Sequence, residues 1–461
     1  MRVIPFTIVL ACMAVAGCGR SGVHLADCVD TRIGVIDRRA SNCVIGPQLP
    51  YGSINPSPQT HKGGTDGYNP EYPIDGFGQL HVSGTGWSTY GHFLVSPQTG
   101  LDVSTSGHGS VHSGDVTRPY YYRTELDRYG IGVEIAPSHY SAIYRLTYPA
   151  SDSSSVVFDA SQSIAADIMP EIHGKVLESS ASIDPESRTI SMSIRFSGGW
   201  PGGPYWLYLA GEYDTPAVET GVWKGDRVIP GGTEISFPGD GEHLGAYCRF
   251  STAEGQQVKL KVAISFTGIE KARELLENEI PHWNFDKVVK QGRDIWEAKL
   301  GSIEVEPVSE EDRTVFCSAF YRALTLARDR SEDNSKWESD LPFWDDNYAF
   351  WDTFRTAYPL LTLVDEPAMR DNLLALIDRY RHNGCVYDGF VAGIDRPGEQ
   401  GGNDVDHVIV DAYLKGVRGV DWDAAYEIVR HNAMERRIGH HKKNETEGCF
   451  SRYKELGWIP E

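Results

Sequence analysis

The chain has 461 residues, 40% hydrophobic and 23% charged, and its 43 Lys and Arg against 64 Asp and Glu give a formal charge of −21. The length predicts two domains rather than one, and the composition is that of a globular protein. The acidic balance excludes nucleic acid as a partner, because affinity for phosphate rests on Lys and Arg.

The chain opens as an export signal. Arg2 supplies the positive start, and 3–16 is an apolar run too short to anchor comfortably across a bilayer. It ends in Val15-Ala16-Gly17-Cys18, which resembles a bacterial lipobox with Cys18 as the lipidated residue. That places residues 1–18 in a lipoprotein signal peptide and the mature protein on a lipid anchor, facing the periplasm or on the cell surface at the outer membrane; a plain secretory signal is the alternative. Cys28, Cys43, Cys248, Cys317, Cys385 and Cys449 remain, with no C-x-x-C zinc pattern among them. Outside the cytoplasm a Cys28–Cys43 bridge is allowed, and most of the others are expected to be buried thiols.

After a tether over 19–27, residues 28–267 are β-rich. Strands are predicted at 120–125, 132–136, 141–148, 155–159, 189–196, 205–212 and 257–266, several with period two and punctuated by Gly and Pro turns. This pattern belongs to a sandwich or barrel. Helices are predicted at 269–280 and 285–300 (a linker over 268–302), followed by a strand at 303–305. From there the chain is helical. Ser309-Glu310-Glu311-Asp312 forms a capping box for a helix to about residue 328. Further helices follow at 351–363, from Pro367 to 381 with Gly384 as the stop, at 404–416 and at 422–437.

Four groups of residues invite a functional reading. The stretch from Phe343 to Arg355 packs aromatics, carboxylates, an Asn and an Arg together with no helical period until after Asp352. It fits a sugar-facing surface, and it fits a helix start with Asp352 against the dipole. The Gly-rich run 76–87, which carries His81, Gly86 and Trp87, reads as a binding loop, or as a tight turn with Trp87 in the core. His81, His92, His108 and His112 lack zinc spacing and are read as satisfied or exposed histidines. In 399–407, Asn403 or Asp404 suits a helix N-cap, and the same residues suit a sugar-facing loop.

Several motifs in order resemble glycoside hydrolase family 92, the calcium-dependent exo-acting α-mannosidases. They include Pro50-Tyr51-Gly52, Gly76-Phe77 through Gly86, Leu126-Asp127-Arg128-Tyr129-Gly130, Trp351-Asp352-Thr353-Phe354-Arg355, Asp411-Ala412-Tyr413-Leu414-Lys415-Gly416 and Tyr453-Lys454-Glu455-Leu456-Gly457. The resemblance implies an N-terminal antiparallel β-sandwich, a helical linker and, over 303–461, the first part of an (α/α)6 six-hairpin barrel. It also implies inverting hydrolysis of terminal α-1,2-mannose on N-glycans or glycoproteins, with calcium as cofactor. By position Trp87 and Asp352 would hold the mannose, with Trp351, Arg355, Gly86 and Asn403 as further contacts. His92 stands where relatives often carry a smaller acidic or amide residue. No residue here matches the family's acid and base, which lie beyond the Tyr-Lys-Glu-Leu-Gly motif. The chain is therefore expected to be truncated at its C-terminus, inactive alone, short of a full calcium shell and open to a separate polypeptide completing the barrel. The alternative is a non-catalytic carbohydrate-binding surface lipoprotein.

Overall fold

The computed structural model describes residues 24–35, 43–60, 63–84, 88–105, 107–164, 174–237, 242–306, 308–397, 404–435 and 455–458. Cys18, Gly86, Trp87, Asn403 and Cys449 lie outside them.

Two antiparallel sheets face one another. The seven-stranded sheet runs in spatial order Ser57–Thr60, Ile74–Gly78, Leu94–Thr99, Ser151–Asp159, Leu244–Thr252, Glu219–Lys224, Arg227–Pro230. The nine-stranded sheet runs Glu234–Phe237, Lys175–Asp184, Thr189–Ser197, Pro204–Tyr213, Gln256–Ser265, Ser141–Tyr148, Ile131–Pro137, Tyr121–Leu126, His112–Arg118. Alternation along the strands explains the layering. In Tyr121–Leu126, Tyr122, Thr124 and Leu126 point inward while Tyr121, Arg123 and Glu125 do not. The inward rows meet in one core that includes Phe77, Phe93, Tyr144, Phe158, Met192, Leu207 and Val262. The fold is thus an antiparallel sandwich joined to a helical domain.

Helices Ile269–Glu279 and Phe285–Leu300 pack against the nine-stranded sheet through Leu275, Leu276, Phe285 and Val288, which meet Ile143 and Ala263. The second core belongs to the helical half. Trp296, Phe320 and Tyr321 pack there with Met369, Leu373, Ile377, Val408 and Ile428. Tyr51 and Leu49 of the sandwich half join this core, which ties the two bodies together.

Several local expectations need correction. Residues 303–305 form no strand; they lack a pairing partner and Val305 is exposed. The helix capped by Ser309, whose hydroxyl accepts from the Asp312 amide at 3.1 Å, ends at Ala323. The helix expected over 351–363 is two helices, Phe350–Thr353 and Ala357–Val364. Pro359 accounts for the break. In a continuous helix its ring would meet the Arg355 carbonyl and its missing N–H would cost a bond, whereas in the second helix it sits in the first turn. Cys28 and Cys43 are free thiols, as are Cys248, Cys317 and Cys385. Of these, only Cys248 and Cys317 are fully buried.

Candidate functional site: a cleft between the sandwich and the helices

After Ala323 the chain forms a two-residue strand, Arg328–Asp329, which pairs with Trp344–Asp345. That pairing brings two arginines against two aspartates, and all four side chains are buried. Arg330 Nη1 donates to Asp345 Oδ2 at 2.5 Å, and Nη2 donates to Asp346 Oδ2 at 2.7 Å. The sandwich closes the network, with the Tyr90 hydroxyl donating to Asp346 Oδ1 at 2.6 Å. Arg328 donates to the Ser53 carbonyl at 2.9 Å and to the His81 carbonyl. Burial works against the charge on Arg330, yet Asp346, Tyr90 and Asp345 hold its pKa well above the ordinary value. Asp346 has a left-handed backbone, φ 56°, a conformation that Asp tolerates better than most residues.

Through Asp346 this network reaches a cleft of about 210 Å³. Ser83, Gly84 and Trp200 come from the sandwich; Asp346, Asn347, Tyr348, Asp352 and Tyr358 come from the helical half. Several lining groups are held by hydrogen bonds. Asn347 exchanges backbone hydrogen bonds with Phe390 at 2.8 and 2.7 Å, and its Oδ1 accepts from the Tyr358 hydroxyl at 2.6 Å. The Trp200 indole donates to the Tyr348 carbonyl at 3.1 Å. The Tyr348 hydroxyl is buried with no hydrogen-bond partner among the described residues.

Asp352 sits in the short helix Phe350–Thr353 at the lip of the cleft. Partial burial raises its pKa; Arg355 pulls it back and Asp404 adds to the rise. Trp351 and Arg355 do not line the cleft. The Arg355 guanidinium instead lies 5.5 Å from the Trp351 ring centre and 5.0 Å from that of Phe354. Of the expected Gly-rich loop, Gly76, Phe77 and Gly78 belong to a strand, while Ser83 and Gly84 reach the cleft. Asn403 lies outside the described residues; at the start of the helix the Asp388 carboxylate accepts from the Asp404 and Val405 amides, both at 3.0 Å. Two of the four histidines are satisfied core groups. His81 pairs with the Asn55 carbonyl and Gln59, and His92 with the Gln162 carbonyl and the Tyr205 hydroxyl.

Sequence reasoning missed Arg328, Arg330, Tyr90 and Trp200, and it quoted Asp346 and Tyr348 without assigning them a place at the site. The one local signal is the basic pair at 328 and 330 followed by the acidic pair at 345 and 346. The described residues do not fit a calcium shell. No group of three or more His, Cys, Asp or Glu among them could hold a metal ion. The carboxylates of Asp345 and Asp346 are already taken by Arg330, Tyr90 and the amides of Asp346 and Gly393. A Ca²⁺ ion asks for roughly 6–8 oxygens.

Comparison with known proteins gives two family matches. The model for the glycosyl hydrolase family 92 N-terminal domain matches residues 28–265, and that for the family's catalytic domain matches 271–461. The second match gives no support to the expected truncation, since the catalytic domain is itself matched. An uncharacterized secreted glycosidase of Arthroderma benhamiae is 26% identical over 444 residues, 90% of this chain and 53% of that protein. A family 92 α-mannosidase from Bacteroides thetaiotaomicron superposes with a TM-score of 0.82 at 22% identity, covering 95% of this chain and 59% of that one. A family 92 inverting mannosidase of the same organism gives 0.82 at 24% identity, covering 96% and 59%. The chain thus spans little more than half the length of these relatives.

Proposed function

The chain belongs to glycosyl hydrolase family 92, and from that membership we propose that its inter-domain cleft takes a terminal α-linked mannose of a glycan or glycoprotein. The observation that carries this reading is the cleft itself. An exposed carboxylate, Asp352, and the aromatic side chains of Tyr348 and Trp200 line one space of about 210 Å³. Carboxylates and phenols bond vicinal hydroxyls, and ring faces cover the C–H surface of a pyranose. Trp87, Gly86 and Asn403 are proposed as further contacts, with Trp351 and Arg355 supporting the lip from outside.

The described cleft grips rather than cuts. Inverting hydrolysis needs a protonated carboxyl and a base with its water, roughly 6.5–9.5 Å apart. The carboxylates lining the cleft are Asp346 and Asp352. Both oxygens of Asp346 are held by Arg330 and Tyr90, which leaves it poorly placed to activate water. That commitment favours a second reading, a sugar-binding surface protein that does not hydrolyse. Calcium-dependent, inverting α-1,2-mannosidase activity is the proposal for the family's full-length architecture. Export on a Cys18 lipid is proposed from the sequence, and the secreted character of the fungal relative agrees with export.

Calorimetry with mannose and α-mannobiose tests the grip, and release of mannose from an α-mannoside tests the rest. Binding without turnover is expected. No heat at millimolar sugar contradicts the grip, and calcium-dependent turnover by the purified chain contradicts the binding-only reading.

A further inference from the structure

A second cavity, of about 320 Å³, lies against the seven-stranded sheet and shares no described lining residue with the cleft. Thr60, Asp75, Leu94 and Asp159 of its lining lie in four of the strands, and His243 immediately precedes a fifth. Asp159 is buried, and its Oδ1 accepts from the Ser161 amide at 2.8 Å. Its Oδ2 receives His243 Nδ1 at 2.5 Å, which leaves His243 Nε2 as a donor on a partly exposed ring. Burial works against the imidazolium, but the Asp159 charge and hydrogen bond overcome it and hold the His243 pKa above its ordinary value.

The wall is built of fixed groups. Gln162 donates to Gln59 Oε1 at 2.8 Å, and Gln59 Nε2 donates to the Gly91 carbonyl at 2.8 Å. At Gly63 a Cβ would fall 2.2 Å from the Gly67 carbonyl carbon, so backbone forms that side of the cavity and glycine is required there. Leu94 and Ile164 give it apolar surface.

The lining selects the ligand class. Among the described residues no Lys or Arg lines the cavity, so a phosphate or carboxylate there would meet carboxylates without a compensating strong cation. Among the described residues no aromatic ring other than histidine is present to stack a base. No metal-holding group of three exists among the described residues. The Asp159–His243 pair presents the second nitrogen of the His243 imidazole to a sugar hydroxyl, and the apolar sides match ring C–H groups. The volume is at the lower end for small-molecule sites. We propose that this cavity is a second binding site of the chain, taking a neutral pyranose.

The test is ligand-observed NMR and calorimetry on the full chain with D-mannose, D-galactose and inorganic phosphate. The proteins are the unsubstituted chain, His243→Gln, Ser163→Phe and Asp352→Asn, each first checked for an unchanged melting curve. Saturable binding of a neutral sugar at this site is expected to keep its affinity in Asp352→Asn, whereas binding at the cleft weakens, which separates the two sites. Its affinity is expected to fall by about tenfold or more in His243→Gln, through loss of a charged hydrogen bond, and in Ser163→Phe, which fills the cavity. Phosphate is expected to give no signal. The proposal is overturned if Asp352→Asn abolishes all sugar binding, if both cavity variants bind as the unsubstituted chain does, or if phosphate binds in place of sugar.

Discussion

The two halves of the molecule finish their surfaces differently. In the sandwich the large apolar residues left exposed, such as Val111, Val218 and Ile229, are scattered over separate strands and loops. In the helical half, Leu363, Val410, Tyr413, Leu414 and Tyr426 are exposed on the three helices Ala357–Val364, Asp404–Leu414 and Trp422–Met434, which contact one another in the sequence of packing 357–364 to 404–414 to 422–434. A sheet pair buries both inner faces against each other and is satisfied. A helix layer with one buried side presents its other side to solvent, and exposed apolar residues on neighbouring helices favour association. The cleft lies where the two bodies meet, so its geometry depends on the seam.

The largest effect expected from this difference is on association. The purified chain should self-associate with rising concentration in sedimentation velocity, and Leu414→Ser with Leu363→Ser should shift it toward monomer. A monodisperse monomer at all concentrations would show that the helical face needs no cover. Next in size is the seam. Arg330→Met leaves Asp345 and Asp346 buried without their cation, and loss of one partner of such a pair costs about 3–5 kcal/mol. Urea unfolding should show that loss, and a change below about 1 kcal/mol would remove the network from any role in joining the halves. Smaller again is the cap. Asp388→Ala frees the Asp404 and Val405 amides and should cost about 0.5–2 kcal/mol, read in the same unfolding experiment.

Legibility in the sequence followed the range of the interactions. Period-two strands such as Ser141–Tyr148 were readable because each residue's environment repeats locally. The strand Lys175–Asp184 was not, since its inward row is Ser179, Ala181 and Ile183 and carries little hydrophobic contrast. Helices with their own punctuation were readable, as with Gly384 in the left-handed C-terminal position at φ 73°. The break before Ala357 was legible in principle from Pro359. The site was harder to read. Asp352 stood out through a family motif, whereas Tyr90 meets Asp346 across 256 residues and Arg330 meets Asp345 across 15. The cap of Asp404 comes from Asp388, 16 residues before it. Beyond the basic pair at 328 and 330 and the acidic pair at 345 and 346, no local pattern announces such pairings, which form only with the tertiary fold.

The central claim is that Asp352, at the lip of the cleft, grips a mannose as a carboxylate. Burial raises its pKa, so a larger fraction is protonated at mildly acidic pH than for an ordinary aspartate. A carboxylate that accepts from sugar hydroxyls loses that role as pH falls through this raised value. Mannose titrations of the unsubstituted chain and Asp352→Asn across the acid range measure this directly. The account predicts affinity that is full at neutral pH and declines on acidification with a midpoint above 3.8, and about tenfold weaker, pH-insensitive binding at the cleft in Asp352→Asn. Equal affinity for the two proteins, or a pH profile that Asp352→Asn leaves unchanged, would contradict it.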